Sequence, residues 1–558
     1  MKPAPTAPSP AEPIQGKLLD ELKEICFEAA GGYAIKGACL YGSRVCGYAR
    51  EDSDYDALLI LSGYPEGVRY SYRRFGKVYA AVLAVDDRLF RLDAEKGALG
   101  EFVAGRLLAP YAPFINAGYL REVETALKKR VVEEEVEELI LEYGELSRGL
   151  VIKPEYFILS RLRRRARAYS PLRYSYSNLL KERLKERNLA LMKDGFLRAL
   201  KLLNGRAVNF DGENATIEQT FIDKVLSRKV VEKVVNVAEF SRRALRSYLA
   251  HGVAGRVSPE LVAKELTSKL IRGLALPSSA PLLEDPKLHL YLRTSKGLVN
   301  LNESASIREL VKKFFPGSPV AIMPLGGALN EVYLVTAGKE KVVAKRYSDW
   351  FGFKWFVLNL VALGAKVFSL SGRARLANEY GISQFLLDKG VPIQKVIFVS
   401  LPNKLLVKEF IEGEPLLDVI KACVRGDGLS PEESRAMFKA GKALGLIHSL
   451  GVALGDTKPE NFLLAQGAVV PVDLEQSGKS GDPAWDVAEF LYYSGHYGLN
   501  ATPGLKQMVE TFLEGYLEAG SPAALKKAGG INYVKVFSFW TPAPILKLVS
   551  SILKNPPA

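Results

Sequence analysis

Gly455-Asp456-Thr457-Lys458-Pro459-Glu460-Asn461, followed by Val472-Asp473-Leu474-Glu475-Gln476, decides the fold of this chain. Asp456 and Asn461 stand five residues apart, and Asp473 comes twelve residues after Asn461. Moving a phosphoryl group from ATP to a hydroxyl asks for few protein groups. One carboxylate takes or orients the hydroxyl proton; an amide and a second carboxylate hold Mg²⁺ over the phosphates. Asp456, Asn461 and Asp473 supply these types in this order, and Lys458 stands where a cation steadies the transferred group. A polar turn between apolar segments is the plain alternative. The flanks argue against it: residues 443–450 carry helical periodicity, and 469–472 are mostly β-branched.

The complementary parts lie upstream. Val342-Val343-Ala344-Lys345 reads as a strand carrying a phosphate-gripping lysine. Shortly before it, Pro324-Leu325-Gly326-Gly327-Ala328-Leu329-Asn330-Glu331-Val332-Tyr333 places Gly326 and Gly327 in a loop between strands, where backbone can cover phosphates. Ser371 starts a helix expected to run to Leu387, and Glu379 within it is the expected partner of Lys345. Residues 405–410 read as a strand leading into a hinge, with adenine bonding to backbone near Glu409–Ile411.

From residue 288 onward the chain resembles the small atypical kinases: the RIO family, the kinase of the KEOPS complex and aminoglycoside-kinase-like proteins. Gly455 precedes Asp456 where regulated kinases carry Arg, and Asp473-Leu474-Glu475-Gln476 is similar to the Asp-Phe-x-Gln of RIO kinases. Twelve residues lie between Asp473 and Asp486, which leaves no room for a long activation segment. The resemblance implies a two-lobed protein-kinase-like fold that uses ATP with Mg (or Mn). It makes Asp456 the base with Lys458 beside it, Asn461 and Asp473 the metal ligands, and Gly326, Gly327, Lys345, Glu379 and Glu409 the nucleotide site. Asp486 is expected to buttress the catalytic loop. Leu454 replaces a structural His, and His448 reads as a packing residue at a helix end.

A second constellation lies near the N-terminus. Gly42-Ser43 ends one expected strand (37–41), and Asp54-Tyr55-Asp56 opens another (57–61), with a third over 77–85. Residues two apart on a strand face one side, so Asp54 and Asp56 present two carboxylates suited to divalent metal. Gly42 and Ser43 let backbone N–H groups meet a triphosphate. Tyr41-Gly42-Ser43-Arg44, Gly47 and Ser53-Asp54-Tyr55-Asp56 resemble the DNA polymerase β nucleotidyltransferase superfamily, especially its minimal prokaryotic members. That family uses a third carboxylate on a neighbouring strand. The body of strand 79–85 carries none, so Asp86, Asp87 or the remoter Asp93 is expected to stand in.

The formal net charge is +14. Fourteen Lys/Arg against three acids fall between Arg161 and Arg206, an excess of +11 in 46 residues. Arg161, Arg163, Arg164, Arg165 and Arg167, with Tyr169, Tyr174 and Tyr176, suit phosphate contacts and base stacking, hence RNA or single strands. The alternative is charge compensation of an acidic helix expected over 123–146. Four cysteines form no Cys-x-x-Cys pair, which disfavours a zinc site or disulfide framework. No apolar run is long enough for a transmembrane helix.

Taken together, an α+β multidomain chain is expected. A disordered tail (1–16) precedes a nucleotidyltransferase-like α/β domain (17–122) and a basic helical or winged-helix domain (123–275). A linker (276–287) leads to a kinase-like domain (288–558). An aromatic insert at 350–361 is expected to dock internally. The first reading is a cytoplasmic ATP·Mg²⁺-dependent kinase acting on a hydroxyl of protein or RNA, tRNA included, in a fusion of archaeal type. Two alternatives remain: an active nucleotidyltransferase acting on RNA or protein, and a non-catalytic, ATP-switched RNA-binding scaffold.

Overall fold

The computed structural model describes residues 16–169, 171–228, 246–247, 249–250, 254, 283–326, 330–349, 369–479 and 481–556. Gly327, the aromatic insert at 350–361, most of the N-terminal tail and linker, and most of the helices expected between 229 and 274 lie outside the described residues. The protein is a mixed α and β chain with several sheets. It divides into two compact units: Met1–Glu138 with Ile152–Phe221 and Arg228–Leu290, and Leu139–Val151 with Ile222–Ser227 and Tyr291–Ala558.

In the first unit a five-stranded sheet runs in the order Val68–Phe75, Val78–Asp86, Tyr55–Leu61, Ile35–Tyr41, Ala112–Ile115. Tyr55–Leu61 and Val78–Asp86 are parallel, and the other pairs are antiparallel. Alternate residues Ala38, Leu40, Ala57, Leu59, Leu61, Ala80, Val82 and Ala84 bury against Leu22, Cys26 and Ala30 of the helix Lys17–Ala30. The strand Val68–Phe75 is not among those expected. Its interior reads Arg-Tyr-Ser-Tyr-Arg-Arg, and as an edge strand it buries only Val68 and Phe75, so an apolar core signal is missing.

The helix expected over 123–146 runs Ala117–Tyr143, and the basic stretch folds as Pro154–Ala168, Leu172–Leu179 and Glu182–Leu203. The expected nucleic-acid surface around Arg161 is corrected here. Arg161 is 4% and Arg165 9% exposed, and their guanidinium groups turn inward onto acids. Glu101 receives Arg161, Arg130 at 2.7 Å and Arg165 at 3.4 Å. Arg161 also meets Glu134 at 3.0 Å, Arg164 pairs with Glu138 and Glu135, and Arg163 reaches Asp285 at 3.1 Å. Burial alone would raise the Glu101 carboxyl, but Arg161, Arg130 and Arg165 together hold it well below the usual carboxylate range. Tyr169 and Tyr176 are buried and cannot stack on bases. Arg161, Arg164 and Arg165 therefore spend their charge on internal pairing with acids at 101 and on the 117–143 helix.

In the second unit a five-stranded antiparallel sheet has the order Val320–Gly326, Glu331–Ala337, Glu340–Arg346, Leu405–Glu409, Val396–Ser400. The helix Gly372–Asp388 follows the strand Glu340–Arg346 in the chain; Ser371 is its N-cap residue, but the Ser371 side chain makes no capping bond. A larger helical part is built on Leu416–Arg425, Pro431–Ser449, Pro483–Gly495 and Pro503–Leu517, whose apolar faces share one core. The Pro431–Ser449 helix opens with a full capping box, Ser430 with Glu433. The hairpin Phe462–Ala465 and Ala468–Pro471 sets the register that matters for the site.

Candidate phosphotransfer site

Alternation on the strand Glu340–Arg346 turns Val342 and Ala344 into the sheet's apolar core and Lys345 to the other face. There the Lys345 Nζ lies 3.0 Å from Glu379, 2.9 Å from Asp473 and 2.9 Å from Glu475. Burial alone would lower this ammonium; Asp473, Glu379 and Glu475 outweigh it and hold Lys345 well above its ordinary value. Glu379 is fully buried and also takes Lys408 and the Tyr347 hydroxyl. Burial would raise its carboxyl, but Lys345 and Lys408 bring it down to about 2.

Glu475 ties the arrangement further. Its carboxylate accepts from Asn330 Nδ2 at 2.7 Å and from Arg375 at 3.0 Å, and its backbone carbonyl accepts from Asn378 at 3.2 Å. Arg375, wholly buried, also donates to Asn330 Oδ1 at 2.9 Å and to the Ser348 carbonyl. Three carboxylates (Glu379, Asp473, Glu475) thus face three cations (Lys345, Lys408, Arg375). Among the described residues, Glu379, Asp473 and Glu475 are the group of acids close enough to share one cation. Here Lys345 occupies their centre.

The loop from Leu454 to Asn461 is held from behind. Asp486, on the helix Pro483–Gly495, accepts the Leu454 N–H and, at 2.8 Å, the Gly455 N–H. Gly455 has φ +76°, which lets the loop turn its two successive N–H groups onto one carboxylate. His448, a packing residue by sequence, bridges Asp486 at 3.0 Å and the Tyr516 hydroxyl at 2.8 Å. On the solvent side, Lys458 Nζ meets Asp456 Oδ1 at 2.9 Å. Burial would lower Lys458, but Asp456 and then Glu489 hold it above its ordinary value. Asn461 Nδ2 donates to the Asp456 carbonyl at 3.1 Å, and Val472 N–H donates to the Asn461 carbonyl at 2.9 Å. The hairpin register therefore carries Asn461 to the Asp473 end, and Lys345 joins Asp473 to the sheet.

Other sequence-predicted residues are placed differently. Gly326 ends its strand with φ +90°. Glu409, expected to offer backbone to adenine, has its N–H on the Lys395 carbonyl and its C=O on Gln394 Nε2 at 3.0 Å. Lys408, Arg375 and Tyr347 were missed. A lone cation in Leu405-Leu406-Val407-Lys408 was a legible signal; Arg375 and Tyr347 gave none. Lys408 also donates to the Val472 carbonyl at 2.7 Å. Lys408→Met removes both bonds and is expected to lower the unfolding free energy of the second unit by about 2 kcal/mol, read by urea titration.

In the first unit, Gly42 has φ +82°, and a Cβ there would come 2.3 Å from Asp56 Oδ2. Only glycine lets the Asp56 carboxylate sit over this turn, from which the short helix Ser43–Cys46 starts. Asp54 Oδ1 accepts the Tyr79 N–H at 3.4 Å. The expected third carboxylate does not arrive. Ala81 stands opposite Asp56, while Asp86 pairs with Leu61 at the far end. Asp86 caps the following helix, Asp87 bonds Arg91 and Tyr119, and Asp93 accepts four backbone N–H groups, from Leu99, Glu101, Val103 and Ala104.

The second unit thus carries a domain like those of the atypical kinases. The chain is similar to the KEOPS complex subunit Bud32 of Pyrococcus abyssi (strain GE5 / Orsay), at 28% identity over 103 residues. That match covers 18% of this chain and 44% of Bud32, less than half of that relative's length. Among solved structures, WaaP in complex with acyl carrier protein matches with a TM-score of 0.28 and 15% identity, over 44% of this chain and 97% of WaaP. No family model matches. Among the described residues no helix is long and apolar enough to cross a membrane.

Proposed function

We propose that residues 288–558 form an ATP·Mg²⁺-dependent phosphotransferase of the atypical kinase type, moving the γ-phosphate of ATP onto a hydroxyl of a protein or RNA acceptor. One observation carries this reading: Lys345 sits within 3.0 Å of both Glu379 and Asp473, and Asp473 is joined through Val472 and Asn461 to Asp456. Asp473 and Asn461 offer carboxylate and amide oxygens, the hard donors Mg²⁺ takes. When bound, the metal neutralises charge on the phosphates.

Asp456 accepts the proton of the acceptor hydroxyl as that oxygen bonds to the γ-phosphorus and the bond to the β-phosphate oxygen breaks, releasing ADP. Lys458 balances the charge gathering at the transferred group. Lys345 exchanges its Asp473 contact for phosphate oxygens while Glu379 keeps it aligned. With Glu409 engaged and the Phe410 N–H on the Lys341 carbonyl at 3.4 Å, adenine bonds fall to the Phe410 carbonyl or the backbone of Ile411.

The domain boundaries drawn from the sequence, the nucleotidyltransferase-like assignment of residues 17–122 and a cytoplasmic setting belong to this reading. Ala81 beside Asp56 supports a nucleotide-binding role there more than a transfer role. Incubation with γ-labelled ATP, Mg²⁺ and cell extract tests the main assignment. Label transfer should be lost when EDTA removes the metal and return with added Mg²⁺. Transfer that persists in EDTA contradicts it.

A further inference from the structure

Glu489 lies one helical turn beyond Asp486 on Pro483–Gly495 and is 4% exposed. Its Oε2 accepts the Thr457 N–H at 2.7 Å and lies 3.2 Å from Thr457 Oγ1. Thr457 separates Asp456 from Lys458 and is wholly buried. We infer that Glu489 is a positioning residue for the proposed transfer: its carboxyl holds the backbone of 456–458 from behind, and its charge state sets how well the loop receives a triphosphate. The inference rests on the kinase reading.

Thr457 Oγ1 donates to the Asp486 carbonyl at 2.7 Å and lies 3.2 Å from Glu489 Oε2, so Thr457 ties the loop to the helix at both positions. What favours a neutral Glu489 is its burial among other charges. Asp456 and Lys458 face Glu489 from the loop, Asp486 from its own helix, and Tyr493 from the next turn; His448 bonds Asp486 from the other side. Burial first, then Asp456, pushes the Glu489 carboxyl up to about 8, against the pull of Lys458 and the Thr457 N–H. Below that pH the loop carries Asp456 and Lys458 as a balanced pair. Above it, a further carboxylate appears behind them and repels the incoming phosphates.

The full chain is assayed for label transfer and for Mg·ATP affinity between pH 7 and 9. Wild type should lose about tenfold in Mg·ATP affinity across that range, the change expected of one added buried charge near the site. Glu489→Gln keeps an accepting oxygen but cannot ionise, and its affinity should stay flat. Glu489→Leu removes the acceptor and should lower kcat about tenfold at every pH, the cost of one unmade buried hydrogen bond. Parallel affinity profiles for wild type and Glu489→Gln, or a Leu variant as active as Gln, overturn the inference. Should the Leu variant fail to fold, the Gln affinity profile alone decides. Failure of the kinase reading is separately visible, because transfer would then survive Asp456→Asn whatever stands at 489.

Discussion

Asp456→Asn is expected to lower γ-phosphate transfer by about 10²–10⁴-fold, the range of a lost general base. Mg·ATP affinity should not fall, because a group acting in the chemical step leaves ground-state binding in place and the loss of its charge leaves Lys458 without its counter-charge. Asp456 is partly exposed, and its carboxylate meets Lys458 at 2.9 Å, away from the Lys345–Glu379–Asp473 cluster that would hold the nucleotide. The amide has the same shape as the carboxylate but cannot take the acceptor's proton. The loop should keep its course, since Asp486 still accepts from Leu454 and Gly455, and Asn461 bonds the Asp456 backbone carbonyl and not its side chain. Single-turnover transfer and a binding titration on the same preparation separate the two quantities. A variant that loses affinity as much as rate would move Asp456 into the nucleotide site.

Arg375→Met should cost about 3–5 kcal/mol of stability in the second unit, the range for removing one partner of a buried pair. Arg375 is wholly buried and bonds Glu475, Asn330 and the Ser348 carbonyl. Without it, three carboxylates face two ammonium groups. Burial and Asp473 already push the Glu475 carboxyl upward, with Lys345 and Arg375 opposing them. The variant should therefore relieve itself by protonating Glu475, at the expense of the bond it accepts from Asn330. Adding Glu475→Gln to Arg375→Met removes the surplus charge and should restore part of the loss. Chemical unfolding of the two single variants and the double variant measures the coupling. Additive losses would show that Arg375 and Glu475 do not act as a pair.

The sequence was most legible where chemistry depends on residues close together in the chain. Asp456, Lys458 and Asn461 sit on one loop, and hairpin pairing from Phe462 to Pro471 carries Asp473 back to them, so order and spacing sufficed. Lys345 was legible from the pattern Val342-Val343-Ala344-Lys345, and Glu379 from its place in the helix expected from Ser371 to Leu387. Arg375 was not, because its partners at 330, 348 and 475 are brought together only by tertiary packing. Charge counting misled at Arg161 and Arg165, which are buried, while Arg167 of the same helix is exposed. Formal charge records how many cations a helix holds, but not whether Glu101, Glu134 and Glu135 lie opposite them. In the first unit, Gly42 and the lack of a carboxylate in the body of strand 79–85 were both legible, while the engagement of Asp86, Asp87 and Asp93 elsewhere needed the parallel register and the hydrogen bonds.

Phosphoryl transfer at Asp456 is distinguished from transfer at the Asp54–Asp56 site by giving the full chain α-labelled and γ-labelled ATP in parallel, with Mg²⁺ and cell extract, and comparing wild type with Asp54→Ala and Asp456→Asn. The predicted result is transfer of γ-label alone, retained in Asp54→Ala and lost in Asp456→Asn. Equal γ-labelling by wild type and Asp456→Asn, or α-label transfer abolished by Asp54→Ala, would contradict it.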